Sequence, residues 1–210
     1  SVSTIEHLMA AFSALSIDNA IIKINNSELP ALDGSSYEYV KKLMMAGINI
    51  QYASKSYIKV LRKIKVKDGD RYISISPSND LTIDITIDYP DTIIGKSQFH
   101  YSHSRENFIA DLSEARTYTF FENIKKMRTA GLAMGGNLNN ALVVDKFKIL
   151  NPDGLRFEKE FVKHKTLDCI GDFYLLGMPL IGKVDCFAPG HKLNQMFVKE
   201  ILKDKKKLCY

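Results

Sequence analysis

Four polar side chains interrupt the apolar segment FVKHKTLDCIGDFYL at residues 161–175: His164, Lys165, Asp168 and Asp172. Leu167, Ile170 and Tyr174 recur at helical spacing and form an apolar stripe. His164, Asp168 and Asp172 stand at i, i+4 and i+8, so a helix lines them along a neighbouring face. An imidazole and a carboxylate one turn apart converge on a point outside the helix, where both can ligate one divalent ion. Catalytic zinc takes three protein ligands as a rule and leaves a fourth position to water, so a third ligand must come from elsewhere. His7 is the candidate, because Ala10, Ala11 and Ala14 beside it let another element approach closely. Its neighbour Glu6 is then a candidate general base, and Asp172 a residue that orients another catalytic group.

Each of these residues also has a plainer reading. A His-x-x-x-Asp pair on a helix is a weak motif by itself. Glu6 reads equally as the last residue of a capping box, Ser3-Thr4-Ile5-Glu6, that opens a helix. His191 in APGH follows a Pro-Gly turn at a helix start, where capping or exposure accounts for it. Thr117 in RTYTF is consistent with an ordinary strand threonine, and His100 and His103 in HYSHS receive no role.

The elements that must position these residues follow from punctuation and period. The capping box predicts a helix through HLMAAFSAL, with Leu8, Phe12 and Leu15 buried. Residues 19–24 (NAIIKI) read as a strand, PALDGSS at 30–36 as a turn, and SYEYVKKLMMAGI as a helix that Gly47 ends. From Tyr57 the text is strand-like: YIKVLRKIKVK, a turn at 68–70, RYISISP, then LTIDITIDY. SRENFIADL is helical. After RTYTFF come the helix-like ENIKKMRTAG and the strand ALVVD, a β-α-β excursion. Helices over 161–176 and near 192–202 complete the pattern.

The chain has 210 residues, 45% apolar and 25% charged, which fits a soluble globular protein large enough for a substantial core. No apolar run is long enough to span a bilayer and no secretory leader opens the sequence, so a cytoplasmic protein is expected. Three cysteines, Cys169, Cys186 and Cys209, lack zinc-ribbon spacing and read as free thiols. The net charge of +5 owes much to runs at 61–67 and 203–207. The first alternates like a strand and the second resembles a solvated tail, so nucleic acid is not an expected partner.

STIEHLMAAFSALSIDNA, PALDGSS, SEARTYTF, MGGNLNNALVVD, NPDGLRFEKEFVKHKTLDCIGDFYLLG and PGHKLNQ occur in this order. Together they resemble the bacterial zinc-dependent UDP-3-O-acyl-N-acetylglucosamine deacetylases of lipid A synthesis, over essentially the whole chain. The resemblance implies one zinc ion held by His7, His164 and Asp168, with Glu6 as general base. It makes His191 the catalytic histidine, Asp172 its associated carboxylate, and Thr117 a residue that helps stabilise the oxyanion. Lys165 would contact substrate, and Tyr89 would stack on the nucleotide. Phe120, Phe121, Ile124, Met127 and Val143 would line a passage for the acyl chain, although core packing accounts for each of them too. The proton for the leaving amine comes from Glu6 or His191. One departure is Ala188, where some relatives carry a lysine, and it bears on the phosphate contacts.

The implied fold is α+β: two layered domains of helices on mostly antiparallel sheets, divided as 1–52 and 53–210, with a β-α-β insert at about 118–148. Relatives carry about 70 residues before the EHL helix that supply strands of the first sheet, so that domain is expected to be incomplete, with unpaired edges and lower stability. A monomer acting on UDP-3-O-acyl-N-acetylglucosamine is expected. The alternatives are a non-catalytic fragment whose ligands never assemble, or a binding module for anionic lipid or nucleic acid.

Overall fold

The computed structural model describes residues 2–129, 135–203 and 208–209. Two helices open the chain, α1 (Glu6–Ala14) and α2 (Tyr37–Ala46). α1 buries six of its residues, including His7, Leu8 and Phe12. Five strands follow: β1 (Ile58–Val60), β2 (Ile64–Asp68), β3 (Arg71–Ser76), β4 (Leu81–Tyr89) and β5 (Gly95–Ser102). α3 (Arg105–Asn107) continues as one π turn over Phe108–Leu112. Next come β6 (Tyr118–Phe120), α4 (Phe121–Thr129), β7 (Leu142–Asp145) and β8 (Lys148–Ile149). α5 (Glu160–Tyr174), β9 (Leu180–Phe187), α6 (His191–Lys203) and β10 (Leu208–Cys209) complete the order.

β9 is the hub of a seven-stranded mixed sheet. It runs antiparallel to β3 and parallel to β4 and β1, while β2, β5 and β10 extend the sheet by antiparallel pairing. Leu180, Gly182, Val184 and Cys186 alternate inward along it, the period that a pleated strand imposes. Ile83, Ile85 and Ile87 of β4 and Ile73 and Ile75 of β3 share the core with Leu167, Ile170 and Phe173 of α5 and Phe197 and Ile201 of α6. Burying each such side chain contributes about 1.5–3 kcal/mol. The result is an α+β architecture with α5 and α6 laid on the sheet and α1 laid on α5. A second sheet has the order β6-β7-β8, and its first two strands are parallel on either side of α4. No described helix is long and apolar enough to cross a membrane.

Several sequence expectations are corrected. α1 has no side-chain cap; Ile5 takes the N-cap position in a helical conformation. Ser3 and Thr4 instead donate to the Ser27 carbonyl and the Glu28 carboxylate, so a tertiary contact displaces the capping box. Residues 19–24 form no strand, and Ile21 is left 91% exposed, because no ladder partner lies beside them among the described residues. The run from Tyr57 is two strands, interrupted at 61–63. β5 and β9 are strands that the sequence reading does not include. Cys169 and Cys186 are buried free thiols, while the side chain of Cys209 lies outside the described residues.

Candidate metal centre

The centre forms where the first turn of α1 meets the middle of α5. A Cβ on Gly171 would collide with the Glu6 carbonyl oxygen, so only glycine lets the two backbones come this close. The contact brings His7 onto the polar face of α5. His164 Nε2 lies 3.2 Å from Asp168 Oδ1, and His7 Nε2 lies 3.8 Å from the same oxygen. Candidate ligand atoms of all three residues fall within 4.8 Å of one another. Two ligands about 2.1 Å from a shared tetrahedral ion stand about 3.4 Å apart, which matches these separations. His7 Nε2 and Asp168 Oδ1 are buried without a hydrogen-bond partner. Orphaned polar atoms of that kind are costly unless something else satisfies them, and a cation between them would satisfy both. Two imidazoles and one carboxylate also make a donor set suited to zinc, so the residues fit such an ion.

The electrostatics hold His7 and Asp168 in their ligating forms. Burial, reinforced by the charge of His164, lowers the His7 pKa to about 3 and keeps its ring neutral. Burial works against ionisation of Asp168, but His164 and Lys165 overcome it and hold the carboxyl well below its usual range. Lys165 Nζ donates to Asp168 Oδ2 at 2.7 Å, which leaves Oδ1 facing the two imidazoles. His164 Nδ1 lies 2.9 Å from the Ala115 carbonyl oxygen. A carbonyl can only accept, so Nδ1 carries a proton, and in the neutral ring the lone pair then lies on Nε2, the atom that faces Asp168.

Around this trio stand Glu6 and His191. Glu6 Oε1 is 4.0 Å from His7 Nε2 and 3.9 Å from His191 Nε2. Burial and the nearby charge of Asp168 raise the Glu6 pKa, which makes it a stronger base than a solvated glutamate. His191 is the first residue of α6, and its Nδ1 donates to Asp172 Oδ2 at 2.8 Å. Chiefly through that bond its pKa rises to about 9. Asn194 Nδ2 donates to the same oxygen at 2.7 Å and fixes the carboxylate from the far side. The assembly thus offers a metal position, a carboxylate base and a protonated imidazole around one point.

Residues 1–203 match the LpxC family model, described as UDP-3-O-acyl N-acetylglycosamine deacetylase. The chain belongs to this family. Proteins called UDP-3-O-acyl-N-acetylglucosamine deacetylase are similar to it in several bacteria. The protein from a Nitratiruptor species is 44% identical over 97% of this chain and 68% of its own length. That from Campylobacter fetus subsp. fetus is 43% identical over 98% and 70%, and that from Shewanella violacea 44% identical over 96% and 66%. The chain therefore spans about two thirds of the length of these deacetylases.

The other positions suggested by the deacetylase resemblance lie at varied distances from the trio. Thr117 is half-buried, its amide bonded to the Gly34 carbonyl and its carbonyl to the Leu142 amide. It stands two residues beyond Ala115, the partner of His164. Tyr89 accepts a 3.1 Å bond from the Tyr118 hydroxyl and packs on Phe120, and Tyr118 in turn meets the His164 ring edge-on. A continuous aromatic wall thus runs from Tyr89 to His164. Lys165 Nζ lies 5.3 Å over the Tyr118 ring. Val143 is buried, Phe120 and Ile124 are half-buried, Phe121 is exposed, and the side chain of Met127 lies outside the described residues.

Sequence reasoning missed Asn194, Ser36, Arg116 and Glu160. Ser36 is fully buried and donates to the His7 carbonyl. Arg116 and Glu160 form a buried ion pair. Their partners are distant in sequence, so local pattern carries no signal for the first two. Glu160 is an exception, since it stands four residues before His164 and so on the same helical face.

Proposed function

We propose that the chain is a zinc-dependent amidase that removes the N-acetyl group of UDP-3-O-acyl-N-acetylglucosamine and releases acetate. The carrying observation is the convergence of His7, His164 and Asp168 with two orphaned ligand atoms between them. The name shared by the relatives supplies the substrate class. Zinc bound by these three residues would supply Lewis acidity towards water and towards an amide carbonyl, a poor electrophile otherwise.

Glu6 would accept the proton of the attacking water, a role that its raised pKa suits. His191, held cationic by Asp172, would donate a hydrogen bond to the oxyanion that develops from the amide carbonyl, and Thr117 would assist it. One such donor is worth about 3 kcal/mol in the transition state. Asp172 and Asn194 together would keep the His191 ring oriented. Tyr89 would stack on the uracil, Lys165 would meet the anionic part of the substrate, and the acyl chain would run along Phe120, Phe121, Ile124, Met127 and Val143. Packing of Tyr89, Tyr118 and Phe120 beside His164 supports an aromatic binding wall at the centre. The test is acetate release from UDP-3-O-acyl-N-acetylglucosamine by metal-reconstituted protein, with and without a chelator. Release abolished by chelation and restored by zinc is expected. Release indifferent to chelation would sink the proposal.

A further inference from the structure

We infer that Glu160 is a positioning residue for the metal centre: through Arg116 it fixes the 114–117 segment, so that the Ala115 carbonyl takes the Nδ1 proton of His164. The inference rests on the metal reading proposed above. Glu160 is 0% exposed, and both of its oxygens are fully engaged. Oε1 accepts from Arg116 N at 3.1 Å and Arg116 Nε at 2.8 Å. Oε2 accepts from Arg116 Nη2 at 3.1 Å and Arg156 N at 2.7 Å.

The consequence falls on the neighbouring residue. Glu160 and His164 are one turn apart on α5, and they hold adjacent residues of the facing segment, Arg116 and Ala115. Arg156 Nη1 donates to the Glu114 carbonyl, and Thr117 N donates to Gly34. Four successive residues are therefore pinned, and Glu160 holds Arg116 directly and, through its bond to Arg156 N, the residue whose side chain holds Glu114. A buried ion pair of this kind adds little net stability over a well-packed apolar pair, because desolvation offsets attraction. What it does supply is geometry: a carbonyl oxygen held 2.9 Å from Nδ1 admits only the tautomer whose Nε2 is free to ligate.

Nitrogen NMR of histidine-labelled, chelator-treated protein reads the tautomer of His164, and competition with a chromogenic chelator reads zinc affinity. The neutral ring of His164 in the native chain is expected to carry its proton on Nδ1. In Glu160→Gln a mixture of tautomers and a zinc affinity about 10–100-fold weaker are expected. Glu160→Asp keeps the charge and should fall between the two. If the glutamine variant does not fold, the aspartate variant decides by the same two readouts. A folded variant with a pure Nδ1 tautomer and native zinc affinity would overturn the inference. Failure of both variants to fold would overturn it as well, by leaving Glu160 a purely structural part. Native protein that binds zinc yet releases no acetate would sink the deacetylase proposal alone, since the tautomer comparison would stand.

Discussion

His191 should keep its proton at a pH where a solvated imidazole has lost it. Its folded pKa, about 9, stands above the ordinary 6.5, so the Asp172 pairing stabilises the fold fully below about pH 6.5. That contribution fades as pH rises through about 9. With the ring 47% exposed, solvent screens the pair and the gain in stability is small. In chelator-treated protein, the NMR titration midpoint of His191 is expected to drop by about one unit or more in Asp172→Asn. An unmoved midpoint would contradict the pairing. Asp168→Ala removes the carboxylate that both imidazoles face, so metal analysis of the purified variant should find no stoichiometric zinc. At this scale the sequence is informative where chemistry is local. His164, Asp168 and Asp172 announce themselves by helical spacing, His7 and Glu6 follow as the third ligand and its neighbour, and the resemblance adds His191. Asn194 and Ser36 could not be read the same way, because a side chain that meets a distant backbone or carboxylate leaves no periodic trace.

Helix α1 owes its place to what Gly171 lacks. A methyl group there would strike the Glu6 carbonyl, and neither backbone can yield cheaply. Gly171→Ala is expected to cost about 1–3 kcal/mol in urea denaturation and to weaken zinc binding, since it pushes His7 away from Asp168. Native affinity in a variant of lowered stability would show that the two helices do not share this constraint. Element prediction succeeds for the helices, whose apolar stripes are long, and for β3 and β4, whose isoleucines alternate without interruption. It fails for β9, although Leu180, Gly182, Val184 and Cys186 alternate too. Gly182 and two charged residues dilute the hydrophobic signal in the strand that organises the sheet. β5 is hidden in the same way, because Lys96, Gln98, His100 and Ser102 face outward and only Phe99 and Tyr101 give its other face an apolar signal. Conversely, the isoleucines of 19–24 suggest a strand, but a strand exists only when another lies beside it.

At the scale of the whole molecule, helices far apart in sequence meet at one point. α1 supplies Glu6 and His7, α5 supplies His164, Asp168 and Asp172, and α6 supplies His191. An ion that ties α1 to α5 binds the folded state alone, so it should stabilise the fold by mass action. With free zinc at a hundredfold above its dissociation constant the gain is about 2.7 kcal/mol. Thermal melts with and without chelator should differ accordingly in the native chain and coincide in Asp168→Ala. A native melting temperature indifferent to zinc would count against a bridging ion. The docking of α1 on α5 also has a temporal side. His7 leaves the ribosome 157 residues ahead of His164, so metal capture has to wait until α5 has emerged as well.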